Sequence, residues 1–206
     1  MFFETLLLAT GNRGKYEEFR AMLPDSFVGR LLFAPEVGAL VVDETGDTYA
    51  VNAMLKARAW ARASGLPSLA DDSGLEVAAL EWGPGVRSAR IVEGTDEDRN
   101  RWLLGGMAGR KDRRARFVAA LALSIPGAWT LVCEGDCPGR LAEHPSGEGG
   151  FGYDPLFLPD GFDVSFAALP AAVKNAISHR AAALRVLQEL LSCEGSSGDS
   201  PHAVDV

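Results

Sequence analysis

The stretch from Leu6 to Phe19, LLLATGNRGKYEEF, decides how this chain folds. Its apolar start, Leu6 to Ala9, has the composition of a buried strand, and a helical pattern follows at once after a turn that contains two glycines. Tyr16 and Phe19 lie at helical spacing, and Pro24 is expected to end the helix. A strand that leads through a short turn into a helix is the repeating unit of α/β proteins, and this is the fold class that the sequence predicts.

Short apolar runs continue to alternate with helical patterns through the rest of the chain. The further strands predicted are Val37 to Val42, Leu66 to Ala70, Leu75 to Trp82, and Arg116 to Ile125 with Trp129 to Gly135, the last two joined in a hairpin at Pro126-Gly127. The further helices predicted are one capped by Thr48 and ended by Gly65, and one from about His179 to Ser192. Residues 1–193 are expected to form one domain, and the tail, 194–206, is expected to be disordered because it has almost nothing to bury.

Composition and charge restrict the class of protein. The chain has 206 residues, of which 47% are hydrophobic and 23% charged, as expected for a globular protein with a sizeable core. Its net charge of −8 argues against nucleic acid or an anionic membrane as the partner, so a bound polyanion would need local basic groups or a metal ion. There is no basic leader and no apolar run of bilayer length, and we predict a cytoplasmic location.

The three cysteines are an odd number, which fits a reducing compartment. Cys133 and Cys137 are spaced like half of a zinc site, but no second pair of Cys or His residues follows at ligand spacing. Ordinary thiols are the favoured interpretation, because a structural zinc ion needs four ligands.

The turn from Thr10 to Lys15 looks in part like a phosphate-binding loop. A P-loop has four residues between its glycines and a Ser or Thr after its lysine, whereas here only Asn12 and Arg13 separate the glycines and Tyr16 follows the lysine. The turn could hold phosphate oxygens with backbone N–H groups and the Lys15 ammonium, or it could be a simple connection from strand to helix. If the turn binds phosphate, Lys15→Ala is expected to impair binding and leave the fold intact, because a lysine in a turn has little core to support; unfolding would favour the simple connection.

Carboxylates are found in two places. In LADDSGLEV, Asp71 and Asp72 are expected to end a buried strand and enter a Ser-Gly turn, at the edge of the sheet where α/β proteins bind ligands. Adjacent like charges repel there unless a cation such as Mg²⁺ or hydrogen bonds hold them; an acidic turn in water is the alternative. Glu44 precedes the helix on which Asn52 and Lys56 share a face, a pair that alone is more often solvated than functional.

Two further stretches carry aromatic or basic groups. In GEGGFGYDPLF, glycines surround Phe151 and Tyr153, so a flexible backbone could present an aromatic face to a nucleobase; equally, both rings could belong to the core. In KNAISHRAAAL, Lys174, His179 and Arg180 bring donor side chains together near a helix start, which suits an anion or a carbonyl-rich base.

Together these stretches resemble one family. LATGNRGK, ETGDTYAVNAMLKA, ADDSGLEV with PGVRSAR, GGFGYDPLF and KNAISHRAAAL resemble, in order, the signatures of the inosine/xanthosine triphosphate pyrophosphatases, which cleanse the nucleotide pool. The resemblance spans residues 6 to 184. Arg87 departs from the family pattern, which usually has a tyrosine at that position.

The resemblance implies an elongated, twisted mixed sheet flanked by helices, with two lobes and a nucleotide groove between them. It implies Mg²⁺-dependent hydrolysis of ITP, dITP and XTP to the monophosphate and pyrophosphate by a homodimer. It assigns metal binding to Glu44 and Asp72, and makes Asp72 the catalytic proton acceptor. It assigns substrate binding to Thr10, Gly11, Asn12, Arg13, Gly14, Lys15, Ser73, Phe151, Gly152, Tyr153, Asp154, Lys174, His179 and Arg180.

Two other functions fit parts of the sequence. A non-catalytic nucleotide sensor could keep the same turn and base pocket, but it would be expected to lack the carboxylates Glu44, Asp71 and Asp72. A single-stranded nucleic-acid binder could stack bases on Phe151 and Tyr153, but it would need a basic groove, which a net charge of −8 argues against.

Overall fold

The computed structural model describes residues 1–194, so the tail predicted to be disordered lies, from residue 195 on, outside the described residues. The strands are β1 (Phe3–Leu8), β2 (Val28–Phe33), β3 (Ser68–Val77), β4 (Arg114–Ser124), β5 (Thr130–Leu141) and β6 (Phe157–Pro159). The helices are α1 (Arg13–Met22), α2 (Ala34–Val37), α3 (Tyr49–Ser64), α4 (Asp96–Gly106), α5 (Ala171–Ile177) and α6 (His179–Glu194). Over this range no helix combines the length and the apolar composition that crossing a bilayer requires.

The strands form one mixed sheet in the order β2-β1-β3-β4-β5-β6. β1 is parallel to both β2 and β3, whereas β3, β4, β5 and β6 pair antiparallel. The predicted mixed α/β sheet flanked by helices is therefore confirmed. β1 pairs with β3 only at Ser68 and Leu69. The site described below lies beside the residues of β3 that come after these two.

Local sequence signals set the ends of the helices. The Asn12 side chain accepts the Lys15 N–H at the start of α1, and the α1 C-cap, Leu23, directly precedes Pro24. Thr48 caps α3 in the same way, and Gly65 ends α3 in the left-handed conformation, with a φ of 70°. These two predicted helices are confirmed.

Alternation along the strands divides the core between the two faces of the sheet. Leu6 and Leu8 pack with α1 and α6, whereas Leu7 packs on the opposite face with α3. A further cluster, which includes Leu75 of β3 and Leu103 of α4, fills the far end of the long strands. The middle of β3 therefore lies where the three clusters meet.

Three sequence predictions about strands were wrong. Val37 to Val42 is no strand: α2, with a proline in its first turn, ends at Val37, and an irregular segment with an exposed Val41 follows. The strand that begins near Leu66 does not end at the two aspartates but runs to Val77, because β4 pairs with it throughout. The segment Leu75 to Trp82 is only the end of that strand, followed by a 3₁₀ turn and a residue pair with positive φ.

Candidate active site

A cleft of about 840 Å³ opens beside the middle of β3. Its walls come from the turn before α1, the irregular segment after α2, one face of α3, and a 3₁₀ turn at Gly85–Arg87 with the residues that follow it. A side pocket of about 140 Å³ adjoins the cleft, and both are lined by Asn12, Lys15, Ser73 and Ala89. An elongated ligand could therefore occupy both.

The turn before α1 places only part of its predicted residues at the cleft. Thr10, Gly11, Asn12 and Lys15 line it. Arg13 lies apart: its side chain is 58% exposed, and its Nε is 2.8 Å from Glu17 Oε1. Gly14 also lies outside the lining, packed so closely below Phe151 that a Cβ atom at this position would be 2.6 Å from the ring.

Asp71 and Asp72 are adjacent in a strand, so their side chains face opposite sides of the sheet. Asp71 is buried, and its Oδ2 lies 2.6 Å from Lys15 Nζ and 3.0 Å from Ser73 Oγ. Burial opposes its ionisation, but Arg180 and Lys15 outweigh that effect and lower the pKa of Asp71 below its usual range. Asp71 is therefore a fixed negative charge that holds two cations in place.

Asp72 faces α3 and the cleft. Its Oδ1 lies 3.2 Å from Lys56 Nζ, and its Oδ2 accepts a hydrogen bond of 3.2 Å from Asn52. Burial raises the pKa of Asp72, against the opposing effect of Lys56 and Lys15. A carboxylate with a raised pKa is a better proton acceptor than an ordinary one.

Glu44 reaches the same place from the irregular segment before α3. Its Oε1 lies 3.0 Å from Lys56 Nζ, the same ammonium that contacts Asp72, and its Oε2 lies 3.1 Å from Arg90. The Asn52 side chain holds this segment by accepting the N–H of Gly46 at 2.8 Å and donating to its carbonyl at 3.2 Å. The structure thus brings together the two predicted metal ligands.

The donor set of this site fits Mg²⁺. Among the described residues no group of three or more His, Cys, Asp or Glu side chains could form a metal site made by protein alone. Mg²⁺ is usually held by one or two carboxylates, with phosphate oxygens and water completing its six ligands. Glu44 and Asp72, gathered around one ammonium in a cleft, match that pattern.

A network of buried charges connects α1, α5 and α6 behind the side pocket. Arg180 donates to Glu18 at 2.9 Å and to Ser73 Oγ at 2.7 Å, and Glu18 also pairs with Lys174 at 2.6 Å. Lys174 pairs in turn with Asp154. Lys174 and Asp154 do not line the pocket, so these two predicted binding residues stand behind the groups that do.

Phe151 and Tyr153, both in the glycine-rich stretch, differ in their burial. Phe151 is half-buried and forms a wall of the side pocket, with Lys174 Nζ 5.0 Å and Arg180 Cζ 5.2 Å from its ring centre. Tyr153 is buried among core side chains, and its hydroxyl donates to the Ser88 carbonyl at 2.9 Å. Both residues line the side pocket, but Tyr153 is also a core residue, so the two alternatives left open by the sequence both apply to it.

His179 lines the side pocket and is almost fully buried. Its ring stacks on Phe117, with ring centres 4.7 Å apart, and neither ring nitrogen has a hydrogen-bond partner. Desolvation, together with nearby Arg180, lowers its pKa well below 6.5, so the ring is neutral. A buried polar group without a partner is rare and needs an explanation, and a ligand in the pocket supplies one.

Sequence reasoning missed several groups of this site. Lys56 and Asn52 were noted only as a weak pair, although their shared helical face was the signal. Glu18 and Arg90 carried no signal, because their partners lie far away in the chain. Arg87, the departure from the family pattern, is exposed.

Cys133 and Cys137 lie in β5, buried in two different apolar clusters. Burial raises the pKa of Cys133 to about 11 and that of Cys137 to about 12. Both are therefore protonated, unreactive thiols at neutral pH.

The fold and the site together define an α/β protein built to bind a nucleotide-like anion. The chain belongs to the Ham1 family, whose family model matches residues 6–190. It is 49% identical over 192 residues to a dITP/XTP pyrophosphatase of Symbiobacterium thermophilum, covering 90% of this chain and 94% of that protein. It is 46% identical over 185 residues to a dITP/XTP pyrophosphatase of Deinococcus radiodurans, covering 88% and 90%.

Two solved structures also resemble this chain in fold and in sequence. A HAM1 protein from Coxiella burnetii has a TM-score of 0.81 and 38% identity, over 93% of this chain and 99% of that one. A nucleoside-triphosphatase/dITP/XTP pyrophosphatase from Mycobacterium abscessus has a TM-score of 0.70 and 40% identity, over 91% and 98%. The family predicted from the sequence is confirmed.

Proposed function

We propose that this protein hydrolyses nonstandard purine nucleoside triphosphates (ITP, dITP and XTP) to the nucleoside monophosphate and pyrophosphate, with Mg²⁺ as cofactor. The observation that carries the proposal is the continuity of two unlike sites. A cleft with a helix N-terminus and two carboxylates suits a triphosphate, and it shares walls with a side pocket, lined by Phe151 and His179, that suits a purine. Relatives at 46 to 49% identity carry the name dITP/XTP pyrophosphatase.

The turn from Thr10 to Lys15 grips the triphosphate. Thr10, Gly11, Asn12 and Lys15 line the cleft at the start of α1, where negative charge on phosphate is favoured. Lys15 stabilises the charge that develops on the leaving pyrophosphate. Arg13 and Gly14 act indirectly, since neither lines the cleft.

Glu44 and Asp72 hold the metal ion. When bound by these two carboxylates, Mg²⁺ would neutralise phosphate charge and make pyrophosphate a better leaving group. Asp72 accepts the proton of the attacking water. Asn52 and Lys56 fix the orientation of the Asp72 carboxylate.

Unpartnered donors in the side pocket select the base. Nε of Arg180, which can only donate, makes no hydrogen bond, although it lies 3.4 Å from Asp71 Oδ1, and the neutral His179 ring has one N–H donor and one acceptor nitrogen, neither with a partner. Hypoxanthine and xanthine offer a carbonyl acceptor at position 6, where adenine has an amino donor. A donor that faces a donor leaves both unpaired, which costs about 1–3 kcal/mol per group. Phe151 adds stacking but does not distinguish purines.

The test is a panel of ITP, dITP, XTP and ATP with Mg²⁺, in which monophosphate, pyrophosphate and inorganic phosphate are all quantified. We expect pyrophosphate and monophosphate in equal amounts, and kcat/KM for ITP at least about tenfold above that for ATP, the factor that one stranded donor gives. Stepwise release of inorganic phosphate, or equal efficiency on ITP and ATP, would contradict the proposal. The homodimer remains a prediction from the resemblance, and the cytoplasmic location remains a prediction from the sequence.

A further inference from the structure

One turn of α4 holds both main-chain groups of Gly152. The Gly152 N–H donates to Asp96 Oδ2 at 2.7 Å, and the Gly152 carbonyl accepts from Asn100 Nδ2 at 3.0 Å. Asp96 and Asn100 are four residues apart, so they lie on one face of the helix. Since a carbonyl only accepts, the Asn100 atom that faces it must be the amide nitrogen.

This helix turn is itself fixed to its surroundings. Thr95 and Asp98 form a capping box at the start of α4, which satisfies main-chain N–H groups from both sides. Arg99 pairs with the second carboxylate oxygen of Asp96 and donates to the Gly94 carbonyl at 3.0 Å. Asp96 thus presents its other oxygen to Gly152 from a rigid position.

The hold on Gly152 determines where the neighbouring Phe151 ring lies. Gly152 has a φ of 63°, a left-handed conformation that places its two main-chain groups against α4. Phe151 donates its own N–H to Asp154 at 2.8 Å, and Tyr153 is tied to Ser88. Phe151 is half-buried, whereas Tyr153 is buried, and the Phe151 ring forms a wall of the side pocket.

We propose that Asn100 and Asp96 are positioning residues that fix Phe151 as the wall of the nucleobase pocket. The inference rests on the proposed function and deepens it, because α4 then determines how well the base is bound. Asn100 contributes more than Asp96 to holding Gly152. The Asn100 side chain is buried, so water cannot replace its hydrogen bond, whereas Asp96 is half-exposed.

The test combines kinetics with amide hydrogen exchange. Asn100→Asp keeps the shape of the side chain but turns an oxygen toward the Gly152 carbonyl. We expect KM for ITP to rise about tenfold or more, the scale of one buried hydrogen bond, with kcat lowered less than threefold, and faster exchange in residues 150–153. Asp96→Ala should raise KM by less than Asn100→Asp does. Asp96→Asn keeps an acceptor for the Gly152 N–H, so it should raise KM least of the three.

Two controls separate positioning from loss of stability. Leu104→Ala weakens the packing of the same helix without touching Gly152 and should leave KM unchanged. Glu97→Ala, exposed on the same turn, should change neither measurement.

Unchanged exchange in Asn100→Asp, or faster exchange with an unchanged KM, would overturn the proposal. So would an equal rise of KM in Leu104→Ala. If the unaltered protein does not hydrolyse ITP, the proposed function fails. The exchange measurement still tests the positioning role, because unchanged exchange in Asn100→Asp would show that Asn100 does not hold residues 150–153.

Discussion

Asp71 and Asp72 are neighbours in β3, yet their carboxylates belong to opposite faces of the sheet: Asp71 lies 2.6 Å from Lys15 Nζ, and Asp72 lies 3.2 Å from Lys56 Nζ. The two carboxylates therefore do not share one cation, which was one of the possibilities left open by the sequence. One carboxylate with a lowered pKa organises cations, and the other, with a raised pKa, faces the cleft.

The same substitution at the two positions should have different effects. Asp72→Asn should lower kcat about 10²-fold or more, since it removes a metal ligand and a proton acceptor. Asp71→Asn should lower the free energy of unfolding by about 3 kcal/mol, because it leaves the buried Lys15 ammonium without its carboxylate partner. Chemical denaturation and steady-state kinetics on both variants check this; a fully active Asp72→Asn would refute the assigned role.

Lys15→Ala is now expected to affect stability as well as catalysis. The sequence predicts an intact fold, but the Lys15 side chain is only 15% exposed and is paired with Asp71. We expect the free energy of unfolding to fall by about 2 kcal/mol, as for the loss of a charged hydrogen bond. A double-mutant cycle with Asp71→Asn measures the coupling, and no coupling would show that the pair is unimportant for stability.

Glu44→Gln should raise the half-saturating Mg²⁺ concentration at least about tenfold, the scale on which even groups around metal ligands act. Asp43→Asn is the matched control, because this neighbouring carboxylate does not line the cleft. Activity measured against Mg²⁺ concentration gives the answer, and equal curves for both variants would exclude Glu44 as a ligand.

Gly14→Ala should not give the increase in stability that replacing glycine by alanine normally gives in a helix. In α4, Gly105 has open space around it, so Gly105→Ala should stabilise the protein by about 0.5–1 kcal/mol. At Gly14 the new methyl group would meet Phe151, so that gain should vanish and KM for ITP should rise. Adding Phe151→Leu should restore the stability gain; if Gly14→Ala alone stabilises as much as Gly105→Ala, the contact is not tight.

Stability should depend on pH through His179. Its folded-state pKa lies well below 6.5, so below that pH the unfolded chain binds a proton that the folded chain does not. The free energy of unfolding should therefore fall as the pH drops below 6.5, by at most about 1.4 kcal/mol per pH unit. His179→Gln should remove this part of the slope in denaturation series between pH 7 and about 5. Identical slopes would contradict a buried neutral ring.

The sequence by itself determined the helix end before Pro24, the helix start at Thr48, the helix end at Gly65, the α/β class and the family. These features depend on residues close together in the chain: a capping side chain and the N–H three residues on, or a glycine that adopts positive φ. Short apolar runs next to helical patterns carry the same local information.

Only the tertiary structure decided which side chains meet. Asp71 and Asp72 were expected to end a strand and lead into a turn, but strand pairing with β4 continues through them and beyond, so their side chains point to opposite faces. Arg180 meets Glu18 across 162 residues of chain, and Asn100 meets Gly152 across 52, separations that no local pattern encodes. Local residue patterns determine secondary structure, whereas the packing of distant elements determines the charge partners and the pocket walls.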